Sequence, residues 1–119
     1  MRTIKFRGLE ANPYCEELRT FLYGTPLFIT NEENYILPNF WDYEGLNKFK
    51  VLKKTISQFT GLHDKNGKEI YEKMELNNTF IIKWLNFRYV LFYISDLTIF
   101  EEIFDYENKL EITGEYTEL

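Results

Sequence analysis

Apolar and polar positions along this chain recur mostly with the period of two that marks half-buried β-strands. Residues 3–7, Thr-Ile-Lys-Phe-Arg, alternate apolar and charged side chains. They predict a strand with Ile4 and Phe6 inward and Gly8 as its end. Asn12-Pro13 is a turn signal, and residues 13–18 suit a short helical turn with Asn12 as N-cap. Residues 21–29 read as a strand, 30–34 as a polar turn and 35–37 as the returning strand, stopped by Pro38. Residues 39–50 read as a long loop pinned by aromatic rings.

Residues 51–60 predict a further strand, with Ile56, Gln58 and Thr60 sharing one face. Residues 61–71 contain Asn66-Gly67, which suits the positive φ values of a tight turn. Asp64 is placed to accept bonds from that turn's amides, so this segment predicts a second hairpin. Residues 80–85 and 89–94 are the most strand-like runs, joined by Asn86-Phe87-Arg88. Residues 97–106 read equally as a short helix or as a strand. Ile99, Ile103 and Tyr106 lie at helical spacing, and Asp96 would serve as N-cap. Residues 110–113 alternate and close the series, with Gly114 bending the chain. Seven or eight short strands with turn signals between them predict a mainly β domain, a small barrel or roll, with at most one or two short helices. An α+β variant would follow if those helices form. One domain over 1–119 is expected, divided into a hairpin-and-loop region, 1–50, and a second β region, 51–119.

Composition strengthens the β reading. Of 119 residues 18% are aromatic, with 11 Phe, 9 Tyr and 2 Trp, and such rings favour strands and fill cores. Cys15 is the one cysteine, which excludes an internal disulfide and a cysteine-built metal site. Neither a leader-length apolar run nor a membrane-spanning stretch is evident, so a cytoplasmic location is expected.

The net charge of −5 is unevenly spread. Residues 1–70 carry ten Lys/Arg against nine Asp/Glu, whereas residues 71–119 carry four against ten. The only dense basic group is Lys48, Lys50, Lys53 and Lys54, a weak candidate for nucleic-acid contact that reads first as a solvated strand edge. Nucleic acid is therefore not expected as the partner.

Candidate chemistry is sparse. His63 is the sole imidazole, and its sequence neighbour Asp64 would point to the opposite face of an extended segment. Carboxylates flank Cys15 and disfavour its thiolate. The acid pairs Glu16-Glu17, Glu32-Glu33 and Glu101-Glu102 lack the cleft-spanning separation of a hydrolase. No catalytic residue, cofactor or metal site is expected. The acidic end is the more informative feature, because residues 96–119 carry eight acids against Lys109 alone. Asp96, Phe100, Glu101, Glu102, Phe104, Asp105, Tyr106 and Glu107 form a candidate protein-docking surface, with rings as anchors beside acids that speed encounter.

Several stretches carry a family resemblance. Residues 1–8, MRTIKFRG, and 21–24, FLYG, resemble the opening elements of YopX-like phage and prophage proteins. Residues 57–72, SQFTGLHDKNGKEIYE, are similar to that family's central motif, and residues 111–119 resemble its closing segment. The resemblance implies a mainly β protein with an SH3-like barrel in the C-terminal part and no established activity. The chain departs from the pattern at residues 73–76, Lys-Met-Glu-Leu, where the family usually has Gly-Asp-Ile/Val-Val.

The reading is a non-enzymatic phage accessory protein that works through protein contacts. A host or phage protein is expected as partner, and self-association is expected from exposed strand edges. A narrower alternative is an inhibitor of a host defence nucleoprotein that uses its acidic surface. A nucleic-acid-binding module is the third.

Overall fold

A computed structural model of the chain describes residues 5–11, 20–38, 49–106 and 108–115. Expectations that fall elsewhere lie outside the described residues. These are Ile4, the helical turn at 13–18, Cys15, the loop over 39–48, Lys48, Glu107 and the tail after Glu115. Two compact units divide the chain, one within Thr3–Gln58 and the other within Phe59–Thr117.

The first unit holds β1 (Phe6–Leu9), β2 (Phe21–Phe28), β3 (Asn34–Leu37), β4 (Lys50–Val51) and the start of β5 (Ser57–His63). Their hydrogen-bonded order is β4-β3-β2-β1-β5, all antiparallel. The expected hairpin of residues 21–37 is present as β2 and β3. Residues 21–24 of β2 pair with β1, and residues 25–28 pair with β3. Each half of β2 is thus paired on one side only, which is why Pro26, with no N–H to give, is tolerated within a strand.

The expected inward face of β1 is corrected. Gly8 lies within the strand rather than at its end, Phe6 is half-buried, and Arg7 is buried. The Arg7 Nε donates to Ser57 Oγ at 3.0 Å, and its guanidinium carbon lies 3.8 Å from the Phe21 ring centroid. Gly8 suits a close approach, since a Cβ there would meet Val51 at 3.0 Å and Ile36 at 3.1 Å. The single strand expected over 51–60 is also corrected. It is broken by a 3-10 turn, Lys53–Thr55, closed by Thr55 Oγ1 donating to the Leu52 carbonyl at 2.6 Å.

The second unit begins with the rest of β5, which pairs with β6 (Glu69–Tyr71). It continues with β7 (Met74–Leu76), β8 (Phe80–Leu85), β9 (Arg88–Tyr93), β10 (Asp96–Glu102), a 3-10 turn at Ile103–Tyr106 and β11 (Ile112–Glu115). β7 to β11 form a five-stranded antiparallel sheet in the order β10-β9-β8-β7-β11. The fold is mainly β, as expected. Its sheets are open rather than closed into a barrel, and the described strands number eleven rather than seven or eight.

The core of this unit gathers Phe59, Ile70, Tyr71, Met74, Leu76, Phe80, Ile82, Tyr89, Leu91 and Leu110. Segment 97–106 is a strand followed by a 3-10 turn, not a helix, and Asp96 opens the strand instead of capping a helix. Gly114 lies inside β11 beside a register shift instead of bending the chain after it.

The second hairpin is present, and its geometry gives Thr60, Gly61 and Gly67 of the central motif a backbone role. Gly61 has φ +86° at a register shift between Phe59 and Leu62. Thr60 stitches that bulge, donating to the Ile70 carbonyl at 2.7 Å and accepting from the Leu62 amide at 3.2 Å. At the turn only Gly67 has positive φ, +81°, so Asn66 does not share the left-handed conformation expected of it. Lys73, just after the motif, does adopt it at φ +69°. Met74 is buried, and its sulfur accepts the Tyr71 amide at 3.3 Å.

Candidate functional site

β10 is an edge of the five-stranded sheet, and among the described residues no strand pairs with its outer side. It pairs regularly with β9 only through Phe100, Glu101 and Glu102, opposite Phe92, Leu91 and Val90. Between Asp96 and Phe100 the register shifts, so Leu97, Thr98 and Ile99 bulge from the ladder. Asp96 stabilises that bulge by accepting from Thr98 N at 3.0 Å and Thr98 Oγ1 at 2.6 Å. These bonds hold its carboxyl below the usual carboxylate range. Leu97, Ile99 and Phe100 are all exposed, and so is Phe104 in the 3-10 turn that follows.

The structure brings Asp96, Phe100, Glu101 and Glu102 onto one strand, and Phe104, Asp105 and Tyr106 onto the adjoining turn. Not all of them face outward unengaged. The Glu102 carboxylate accepts from Arg88 Nε at 2.9 Å, and this pairing lowers the acid's pKa and raises the base's. Glu101 accepts the Tyr93 hydroxyl at 2.8 Å, and that negative partner pushes the phenol up to about 12. Tyr106 packs its ring on Phe80, with centroids 5.0 Å apart. Among the described residues of this surface, the exposed acids are Asp96 and Asp105.

Lys50 is half-buried in β4, while Lys53 and Lys54 stand exposed on the 3-10 turn of the first unit. Lys53 reaches Asn31 Oδ1 at 3.5 Å beside a broad concavity lined by Phe28, Ile29 and Asn34. His63 is exposed, and its ring meets Phe59 edge-on at 5.6 Å. Among the described residues no group of three His, Cys, Asp or Glu side chains is placed to hold a metal ion. No helix among them is long and apolar enough to cross a membrane.

Two features escaped the sequence reading. One is a pocket of about 450 Å³ in the second unit, lined by Leu62, Ile103, Phe104, Tyr106 and Leu110, with His63 and Asn108 as polar members. The other is the tip of the β8–β9 hairpin. Its two-residue turn, Asn86-Phe87, has φ values of +49° and +68°, both positive as a type I′ turn requires. The second position of that turn is glycine's place, yet it holds a phenylalanine that is 92% exposed. Asn followed by Phe between two strong strands is the signal that could have found it.

Phe87→Gly is expected to stabilise the protein by about 0.5–1 kcal/mol, the relief of left-handed strain less the added chain entropy of glycine. A raised urea midpoint would show it. An unchanged or lowered midpoint would mean that the ring makes stabilising contacts within the chain.

A search of curated proteins finds no match to this chain. The profile of the YopX protein family matches residues 16–115, a span that contains the central hairpin, the β10 edge and the Phe87 turn. The chain therefore belongs to the YopX protein family, a membership that points to a phage-type protein.

Proposed function

We propose that this protein is a non-enzymatic phage accessory protein that acts through protein–protein contacts, with β10 and the following 3-10 turn as the contact surface. The observation that carries this reading is the run of exposed Leu97, Ile99 and Phe100 on a sheet edge whose outer side no described strand pairs, with exposed Phe104 on the turn that follows and with Asp96 and Asp105 in the same segment. Apolar anchors flanked by charge are the composition of a contact surface, where rings supply affinity and charges supply encounter rate. The partner that suits it presents apolar side chains among basic ones.

A photo-crosslinking residue at position 99 or 104, introduced in phage-carrying cells, is expected to give discrete protein adducts that Leu97→Glu abolishes. The same residue at exposed position 54 is expected to give none of those adducts. Identical adduct patterns from 54 and 99, or no adduct at 99 and 104, would overturn the reading.

The acids support one narrower version, in which the surface occupies a basic nucleic-acid channel of a host defence nucleoprotein. Asp96→Lys together with Asp105→Lys would then abolish adduct formation, while Leu97→Ala would only weaken it.

A further inference from the structure

Asn66-Gly67 is the one place in this sequence where glycine follows asparagine. That dipeptide has a chemistry of its own. A Gly amide nitrogen that loses its proton to hydroxide can attack the side-chain carbonyl of the preceding Asn. A C–N bond forms, the Cγ–Nδ2 bond breaks and ammonia leaves, giving a succinimide. Water then opens the ring at either carbonyl, to aspartate or to isoaspartate. Nothing is oxidised or reduced, and solvent supplies every reactant. After each of the other asparagines the next residue carries a side chain or a proline ring that crowds the attack. Asn66 and Gly67 both stand exposed, and a Cβ on Gly67 would meet nothing within 4 Å. Solvent therefore reaches the nucleophile, and no neighbour walls off the ring closure.

The hydrogen bonds of the turn oppose the reaction. The attacking nitrogen is the one whose N–H donates to the Asp64 carbonyl at 2.9 Å. The amides on either side of it, Asn66 N and Lys68 N, each donate to Asp64 Oδ1 at 2.9 Å. Asp64 is itself anchored from β11, since its Oδ2 accepts Ile112 N at 3.2 Å. Lys65 adds a bond from its amide to the Leu110 carbonyl at 2.8 Å and an ion pair to Glu111 at 3.3 Å. Gly67 N cannot shed its proton and swing toward the Asn66 side chain while these bonds hold. The reaction belongs to the opened turn, so its rate is that of a free chain multiplied by the fraction of time the turn is open.

We propose that Asn66 is a self-modification site, and that the Asp64 clasp onto β11 is the latch that sets its rate. Isoaspartate is the product with a structural consequence. It places an extra methylene in the backbone between residues 66 and 67, so the amides of 66 and 68 no longer converge on one Asp64 oxygen. The turn cannot close as before, and its bonds to Leu110 and Ile112 loosen with it. The outcome is a one-way, time-dependent release of the start of β11 from the hairpin. The site lies apart from the β10 surface and does not rest on the reading of that surface.

The test is the rate of deamidation at Asn66 during incubation at mildly alkaline pH, read by digestion and mass spectrometry, with isoaspartate identified by an isoaspartyl methyltransferase. The samples are the full chain, its Asp64→Ala variant and a free peptide of residues 61–71. The wild type is expected to react at least about tenfold more slowly than the peptide, with the folded Asp64→Ala variant at least about fivefold faster than the wild type. Hydrogen exchange of the wild-type Gly67 amide gives a second measure that needs no variant. Its protection is expected to match the slowing of deamidation to within about tenfold. In wild type that has formed isoaspartate, the Ile112 amide is expected to exchange faster than in the unmodified protein. A wild type that deamidates as fast as the peptide would overturn the proposal, and so would a folded Asp64→Ala variant that reacts at the wild-type rate. Gly67 protection far above the slowing would place the reaction in the closed turn and overturn the latch. An Ile112 amide indifferent to isoaspartate would overturn the release of β11.

Discussion

Gly24→Ala is expected to disrupt the first unit more than any other single methyl group added to it. Gly24 sits where β2 changes neighbours, the last residue paired with β1 before Thr25 begins pairing with β3. Its φ is +155°, and a Cβ built on it would lie 2.0 Å from the Leu37 carbonyl oxygen and 2.7 Å from the carbonyl carbon. Both obstacles are backbone, so no rotamer change relieves the clash. β3 must move away, and the Thr25–Leu37 pairing goes with it. Backbone strain of about 1–3 kcal/mol and a similar overpacking term put the loss at about 4 kcal/mol, a large share of the stability of a domain this size. The measurement is urea unfolding together with hydrogen exchange of the β2–β3 amides, with Glu32→Ala in the exposed turn as a control expected to change stability by less than about 0.5 kcal/mol. A Gly24→Ala midpoint indistinguishable from that control would refute the steric account. The same geometry gives FLYG a physical reason: its last position must lack a side chain.

How legible the fold was depends on how local its causes are. β8 and β9 could be read because a long apolar strand with a short linker leaves few alternatives, and the Asn66-Gly67 turn because its chemistry is contained in a few residues. Arg7 defeated the alternation rule, since a charged residue is placed outward unless its partners are known, and Ser57 lies fifty residues away. β7 was missed because three residues flanked by left-handed Lys73 and Asn77 give no period to detect. Segment 97–106 stayed ambiguous because a three-residue bulge destroys the two-residue period, and the spacing left behind imitates a helix.

The candidate site was legible in composition but not in geometry. The acids and rings of 96–106 lie on β10 and the turn after it. That Arg88 takes up Glu102 and Tyr93 takes up Glu101 depends on strand pairing, which the sequence does not show. Exposed Ile99 was read only as part of a helical stripe. Phe87 was read as a linker residue, since nothing in a linear pattern says that a ring has no neighbour.

Asp64→Ala is expected to show the same division between local and distant causes. The local part was foreseeable: Asp64 Oδ1 accepts from Asn66 N and Lys68 N, each at 2.9 Å. The distant part was not: Oδ2 accepts from Ile112 N at 3.2 Å, and Lys65 N donates to the Leu110 carbonyl at 2.8 Å. The hairpin turn therefore clasps the start of β11. Removing the carboxylate leaves three backbone donors to find new acceptors at a site where Asp64 is only 6% exposed. The expected loss is about 3 kcal/mol, less than three full charge-assisted bonds because turn amides regain water.

Asp64→Asn is expected to lose less than the alanine variant, because an amide can keep one oxygen on the turn while its NH2 opposes the Ile112 N–H. The pH dependence follows from the same bonds. Burial pushes the carboxyl up, but the backbone amides of Lys68, Ile112 and Asn66 outweigh it and hold the value below the ordinary 3.8. A depressed folded value contributes stability that is complete above the ordinary value and is lost as pH falls through the lowered one. The gap in unfolding free energy between wild type and Asp64→Ala is therefore expected to be flat from neutral pH down to about pH 5 and to close below about pH 4. If Asp64→Asn matches the wild type in urea at neutral pH, the clasp to Ile112 contributes nothing and Asp64 is only a turn residue.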